Sequence, residues 1–339
     1  VQFLRTPTAY GSPNQHVECI ETHMSWVFLT EQHVYKLKKP VGLSLLDFTS
    51  VASREYFCRE EVRLNACMAP GIYLGVMALQ WCDGAFALVP EAQLPVRGET
   101  VDWLVLMKRL PKNRMMTHMM ARHALEPRDL APLVGLLSTF YSRASAAKME
   151  VPDYLERFRS EQAANRDVLL NPAFQLHDAS LALDRYETVL DQAAGLLTAR
   201  ALGHHVLEGH GDLRADHVCL QRPPVVIDCL EFNPKLRQVD PFDELAYLGL
   251  ECAMAGAPWV GPYLAKGVAN ALGDHPHPAL THVYTAHRAL LRARLAIGHL
   301  LDAQPRDGAK WTPLALRYIA RTLAAANAFT SARPDDWPE

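Results

Sequence analysis

His210-Gly211-Asp212-Leu213-Arg214-Ala215-Asp216-His217, followed past the Pro223-Pro224 turn by Val225-Val226-Ile227-Asp228, says more about this chain than any other segment. Gly211-Asp212 favours a tight turn, so Asp212 can project from a constrained loop just ahead of a β-run. The β-branched residues 225–227 deliver Asp228 at or near a strand end. Two carboxylates on adjoining loops of one hairpin can converge on a point. Phosphoryl transfer to a hydroxyl needs such a pair: one aspartate accepts or orients the hydroxyl proton, and the other holds Mg2+ on the nucleotide phosphates. Each segment alone reads as a turn residue or a strand cap; their order and spacing together make the signal specific.

On the N-terminal side, residues 16–23, 24–30 and 31–39 read as three strands, rich in β-branched and aromatic residues. A helix is expected from Thr49 to about Met68, with Thr49 or Ser50 as N-cap. Strands are expected over Tyr73–Leu79, Ala85–Val89 and Trp103–Leu110, the last stopped by Pro111. Beyond it the pattern is helical, over 127–147, 152–168, 179–200, 258–271, 278–303 and 313–327, with a short helix in the Met-rich run 114–123. Strands around one helix, then helices around a polar hairpin, predict an α+β chain of two lobes with a cleft, 1–108 and 109–339.

The segments HGDLRADHVCL, VVIDCLEF and VDPFDELAYL resemble the aminoglycoside phosphotransferase family, which shares its architecture with protein kinases and choline kinases. The resemblance implies a bilobal protein-kinase-like fold, an antiparallel sheet plus one helix in the N-lobe and a mainly helical C-lobe. It implies ATP and Mg2+ as cofactors, with Asp212 as catalytic base, His210 bracing the catalytic loop and Asp228 binding Mg2+. Asp240 and Asp243, spaced Asp-Pro-x-Asp and so one residue closer than in the pattern, resemble the family's Asp-Pro-x-x-Asp, which ties a helix start to the catalytic region. One position departs from the pattern. Five residues after the catalytic aspartate the family places asparagine, as a second metal ligand, and this chain has His217. Imidazole is a poorer Mg2+ ligand than an amide oxygen, so Asp216 or, better, Glu231 would supply the missing oxygen. ETHMSWVFLT, VYKLKKPV, REEVRLN and APGIYLGV also resemble a bacterial subgroup whose members sometimes carry a P-loop ATP-binding domain. No GxxxxGKS or GxxxxGKT occurs, so such a domain is expected to lie outside this sequence. The hairpin around Glu18–Thr30 would cover the phosphates.

A kinase of this kind needs a lysine on the phosphates and a carboxylate to hold it. Along a strand, Val34, Lys36 and Lys38 share one face. The residue two before the phosphate lysine lies over adenine and should be small and apolar. Val34 fits that place and Lys36 does not, so Lys36 is preferred over Lys38. Phe57, Glu61, Leu64 and Met68 fall on one helical face. Glu61 thus interrupts an apolar stripe, and a buried carboxylate is costly unless paired. Lys36 is its expected partner. A solvated basic edge strand and a glutamate at the helix edge are the plain structural alternatives. The lobe connection falls near Leu106–Pro111, with the backbone of Met107, Lys108 and Arg109 hydrogen-bonding adenine.

The bulk numbers exclude several classes. The 339 residues carry a net charge of -3 and 21% charged residues, without the basic footprint of a nucleic-acid binder. Seven scattered cysteines without a CxxC pair argue against a disulfide scaffold and fit a reducing compartment. No apolar signal core opens the sequence, and no apolar run approaches a membrane span. The expectation is a cytoplasmic enzyme whose partners are a nucleotide and a small-molecule hydroxyl substrate. Two other readings stay open. His204, His205, His210 and His217 with Asp212 and Asp216 could form a transition-metal hydrolase site, although no HExxH occurs. A catalytically weak or inactive kinase fold could serve as a nucleotide-binding scaffold, a reading that His217 keeps alive.

Overall fold

A computed structural model describes residues 1–12, 14–43, 46–301 and 308–331. The elements run β1 (Glu18–Glu21), β2 (Ser25–Leu29), β3 (His33–Lys38), β4 (Gly42–Leu43), β5 (Leu46–Asp47), α1 (Val51–Asn65), β6 (Tyr73–Cys82), β7 (Ala85–Pro90), β8 (Glu99–Lys108), α2 (Met116–Ala121) and α3 (Pro127–Arg143). They continue with α4 (Val151–Leu169), α5 (Ala179–Gln192), α6 (Ala194–Leu202), β9 (Leu207–Glu208), β10 (Val218–Cys219), β11 (Val225–Val226), α7 (Pro234–Arg237) and β12 (Gln238–Val239). The last helices are α8 (Pro241–Met254), α9 (Val260–Leu272), α10 (Ala279–Gly298) and α11 (Gly308–Ser331). Two compact units result: residues 1–140 with 210–237, and residues 141–209 with 238–339.

In the first unit a six-stranded antiparallel sheet has the order β1-β2-β3-β8-β6-β7. Side-chain alternation gives it two apolar faces. Phe28, Leu37, Met77, Leu79 and Leu104 pack with Leu4 and Tyr10, from 3-10 turns near the N-terminus that the sequence pattern did not announce. Val76, Ala78, Trp103, Val105 and Met107 pack with Cys58, Val51 and Val62 of α1. Val34 lies on this second face, which puts Lys36 and Lys38 there too. Helix α1 starts at Val51 because Ser50 caps it, its side chain accepting the Ser53 N–H at 3.0 Å. Thr49 instead bonds Asp47. Ser50→Ala is expected to cost about 1 kcal/mol, read as a lower urea midpoint with an unchanged slope.

The hairpin β10–β11 is built into the same unit. Val226 N–H donates to Met68 O at 3.1 Å and Leu220 N–H to Arg114 O at 2.7 Å. Ala69, Ile72, Cys219 and Val225 close a small apolar cluster beneath it. The hairpin is therefore fixed on one side to the turn that follows α1 and on the other to the turn that follows β8.

In the second unit, β9 pairs with β12 and helices make up the rest. Asp240 caps α8 by accepting the Phe242 N–H at 2.9 Å and also takes Arg200 Nε at 2.5 Å and the Tyr284 hydroxyl at 2.9 Å. Asp243 binds Arg288 through both oxygens, at 2.7 and 2.6 Å. Asp240 and Asp243 thus form a set of buried ion pairs that anchors α8 within this unit. The single helix expected over 179–200 is two, α5 and α6, parted at Ala193.

Candidate active site

Strand β3 aims two lysines at one glutamate. Lys36 Nζ lies 2.9 Å from Glu61 Oε1, and Lys38 Nζ lies 2.6 Å from Glu61 Oε2. Glu61 is wholly buried on α1, as the interrupted apolar stripe predicted. Lys36 also reaches Asp228 Oδ1 at 2.6 Å. Lys38 also donates to Glu231 Oε1, and its ammonium sits 5.1 Å from the centre of the Phe48 ring. The Lys38 side chain is 0% exposed, so no ligand phosphate can reach it, whereas that of Lys36 is 15% exposed. Burial opposes charge on both lysines, but Asp228 and Glu61 around Lys36, and Glu231 and Glu61 around Lys38, hold each above its ordinary value. Burial pushes the Glu231 carboxyl up, against the pull of Lys38.

Asp228 has a left-handed backbone, φ 63°, which is uncommon for a residue other than glycine. Its N–H donates to the Tyr73 hydroxyl at 3.1 Å. One residue on, Cys229 N–H donates to Asn65 Oδ1 at 3.0 Å, and Asn65 Nδ2 returns to Glu61 O at 2.8 Å. Helix α1 therefore holds the segment that presents Asp228. The Asp228 side chain remains 41% exposed and open to a ligand. Burial would raise its carboxyl, but Lys36 first and His217 second hold it far below the usual range.

The loop from His210 wraps onto this segment. Asp212 N–H donates to His210 Nδ1 at 3.2 Å, so Nδ1 carries the lone pair and Nε2–H donates to Ile227 O at 2.9 Å. Leu230 N–H donates to His210 O at 3.0 Å and Ile227 N–H to His217 O at 2.9 Å. Gly211 has φ 85°, and a Cβ there would stand 3.0 Å from Leu230 Cβ, so glycine is required. His217 Nδ1 donates to Asp212 O at 2.8 Å; the same ring lies 3.8 Å from Asp212 Oδ2 and 3.5 Å from Asp228 Oδ2. The two aspartates converge with His217 between them. Arg214, which sequence reasoning passed over, places Nε 3.0 and 3.1 Å from the two Asp212 carboxylate oxygens. Burial raises the Asp212 carboxyl, and the neighbouring His217 and Arg214 outweigh it, leaving the group below its ordinary value.

Asn65, Tyr73 and Arg214 had no motif to reveal them; Asn65 alone had a hint, one turn beyond Glu61 on the same helix. Val34 lies beside Met107 in register on the α1 face of the sheet. The expected adenine contacts of the next two residues need correcting in one respect. Lys108 N–H already donates to Ile72 O, and Arg109 N–H to Gln32 O, both at 2.8 Å. These sheet bonds leave neither N–H for a nucleobase. The Arg109 side chain donates instead to Thr30 O at 2.7 Å, at the end of β2.

His205 Nδ1 pairs with Asp274 at 2.9 Å, and both nitrogens of His210 face backbone groups. Among the described residues no three His, Cys, Asp or Glu side chains form a metal-ligating cluster.

His210 is 1% exposed, and burial pushes its pKa down to about 4 from 6.5. Burial likewise pushes His287, in the second unit, down to about 3. A histidine held neutral in the fold gains its proton at about 6.5 once unfolded. Its contribution to stability is complete above that pH and is lost as pH falls from about 6.5 to about 4. The loss for His210 is about 3 kcal/mol. Urea midpoints should stay level from pH 7.5 to about 6.5 and then fall toward pH 4.5; a flat profile throughout would contradict the neutral buried imidazoles.

Solved structures with this fold are aminoglycoside phosphotransferases and choline/ethanolamine kinases. A choline kinase from Cryptosporidium parvum Iowa II superposes with a TM-score of 0.56 at 10% identity, covering 96% of this chain and 93% of that one. The GDP complex of a mutant aminoglycoside 2'-phosphotransferase IIIa gives 0.53 at 16% identity, covering 91% of each. In sequence, the chain is 26% identical over 326 residues to uncharacterised proteins of Mycobacterium tuberculosis H37Rv and Mycobacterium bovis, covering 90% of this chain and 61% of theirs. The chain thus spans about three-fifths of the length of these curated relatives. No protein-family model matches it. The sheet with its helix, followed by a mainly helical remainder, is the kinase-like fold.

Proposed function

We propose that the chain is an ATP-dependent phosphotransferase that moves the γ-phosphoryl group to a hydroxyl of a small-molecule acceptor. One observation carries the reading: Lys36 is held between Glu61 and Asp228, with Asp212 brought alongside through His217. Four groups far apart in sequence meet in the arrangement that phosphoryl transfer requires. The fold shared with a choline kinase and a GDP-bound aminoglycoside phosphotransferase supports a nucleotide site.

In this reading Lys36 turns from Asp228 toward the nucleotide phosphates while Glu61 keeps its position. Asp228, the exposed carboxylate of the set, would hold Mg2+. When bound, that ion neutralises charge on the β- and γ-phosphates. Asp212, its carboxyl held below its ordinary value, accepts a hydrogen bond from the acceptor hydroxyl and takes its proton as the acceptor O–P bond forms and the bond from the γ-phosphorus to the departing ADP breaks. Val34 would lie against the adenine ring. Lys108 and Arg109 would meet the base through groups other than their engaged N–H, and Met107 stays in the proposed set. A lobe boundary at 108/109, after the last strand of the sheet, belongs to the same proposal. The seven free thiols suit a reducing, cytoplasmic setting, and no described helix is long and apolar enough to cross a membrane.

The direct test is phosphoryl transfer from labelled ATP across a library of small-molecule hydroxyl compounds, with and without Mg2+. No Mg2+-dependent transfer to any acceptor, with nucleotide bound, would favour the scaffold alternative. Asp228→Ala is expected to weaken Mg2+-dependent nucleotide binding at least about tenfold, measured by calorimetry with Mg2+ and with chelator. Equal affinity in the two conditions for the unaltered chain would remove Asp228 from the metal site.

A further inference from the structure

We propose that this centre works with a single divalent cation, held at Asp228, because Lys38 and Arg214 stand on the groups from which a second cation would hang. The inference rests on the phosphotransferase reading and deepens it. Protein kinases hold two Mg2+ ions, one by the aspartate after the hairpin and another with help from a catalytic-loop amide. In this chain Glu231, Asp216 and His217 are the candidates for the second.

Glu231 is closed by Lys38. The ammonium donates to Glu231 Oε1 and, at 2.6 Å, to Glu61 Oε2, beneath the Phe48 ring and out of reach of solvent. Taking Glu231 for a metal would strand a buried ammonium on one shared carboxylate, and breaking a buried ion pair is strongly unfavourable. His217 is closed by Arg214. With Nδ1–H on Asp212 O, its remaining lone pair is on Nε2, where Arg214 Nη2 stands at 3.1 Å. Arg214 Nε simultaneously covers both carboxylate oxygens of Asp212, and its Nη1 stands 3.4 Å from Asp216 Oδ2. A Mg2+ ion about 2 Å from a ligand atom would face a guanidinium at close range.

The charges then sort into pairs. Once Lys36 turns to the phosphates with Glu61 behind it, Lys38 answers Glu231 and Arg214 answers Asp212 and Asp216. Asp228 is the carboxylate left without a cation of its own, and its side chain is 41% exposed. One unmatched carboxylate calls for one cation. Lys38 and Arg214 supply as fixed side-chain charge what a second metal would supply as a soluble ion.

The test uses the full chain with ADP and Mn2+. Nucleotide binding is measured first by calorimetry, and bound Mn2+ is then counted by electron paramagnetic resonance at saturating ADP. One Mn2+ per bound nucleotide is expected; two would overturn the proposal. Glu231→Gln keeps a carbonyl oxygen for Lys38 and should leave the count and the Mn2+ affinity within about twofold of the parent. A loss of tenfold or more would make Glu231 a ligand and overturn the proposal by an independent route. Absence of any nucleotide binding in the first arm would sink the phosphotransferase reading and this inference with it, and is distinguishable from a count of two.

Discussion

Asp212→Ala is expected to lower phosphoryl transfer by about 100- to 10,000-fold, the range for loss of a positioned general base, while nucleotide affinity changes little. The geometry separates the two effects. Asp212 touches Arg214 and His217, whereas the lysine that would meet the phosphates is held by Glu61 and Asp228. A transition-state contact is removed and ground-state nucleotide contacts survive, so kcat and kcat/KM for the acceptor should fall together. Asp212→Asn keeps the size and one carbonyl oxygen for Arg214 and should lose nearly as much, which would assign the effect to the carboxylate and not to a collapsed loop. Turnover that persists in both variants would remove Asp212 from the chemistry.

The second large effect concerns stability. Lys38→Met is expected to cost about 3–5 kcal/mol, the usual penalty for leaving a buried charge without its partner. Glu61 would retain Lys36, but Glu231, 8% exposed, would lose the ammonium that balances it. Lys36→Met should cost less: its side chain is partly exposed, Asp228 can turn to solvent, and Glu61 keeps Lys38. Denaturant titration of the two variants checks the order. Lys36→Met should abolish transfer in a protein that still folds, whereas Lys38→Met should first show itself as a fold that gives way. The reverse order would mean that the roles of the two lysines had been exchanged.

Much of this centre was legible beforehand. The spacing of Asp212 and Asp228 survives any local change in loop shape because a hairpin joins them, and Glu61 declared itself by interrupting an apolar stripe. Strand alternation put Val34, Lys36 and Lys38 on one face. What alternation could not say is that both lysines would claim the same carboxylate. That depends on the distance between β3 and α1, which no local pattern records. Arg214 escaped notice for a similar reason: an arginine in a polar loop has no periodicity, and its meaning lies in bonding the carboxylate two residues back. The hydrogen bonds of Lys108 and Arg109 depend on partners at Ile72 and Gln32, which adjoin them only after the sheet has formed. The early start of β8 at Glu99 was hidden by polar residues on an exposed strand end. The break at Ala193 had Gly195 as its one faint sign.

The sharing of Glu61 also governs how such a sequence can drift. Each oxygen of that carboxylate answers a different lysine, and the second lysine answers a further glutamate. Single replacements at 38, 61 or 231 each leave an orphan, so the viable mutational paths pass through paired changes, such as an uncharged residue arriving at 38 and 231 together. Descendants of this chain should therefore carry these positions as a linked set, kept whole or exchanged whole.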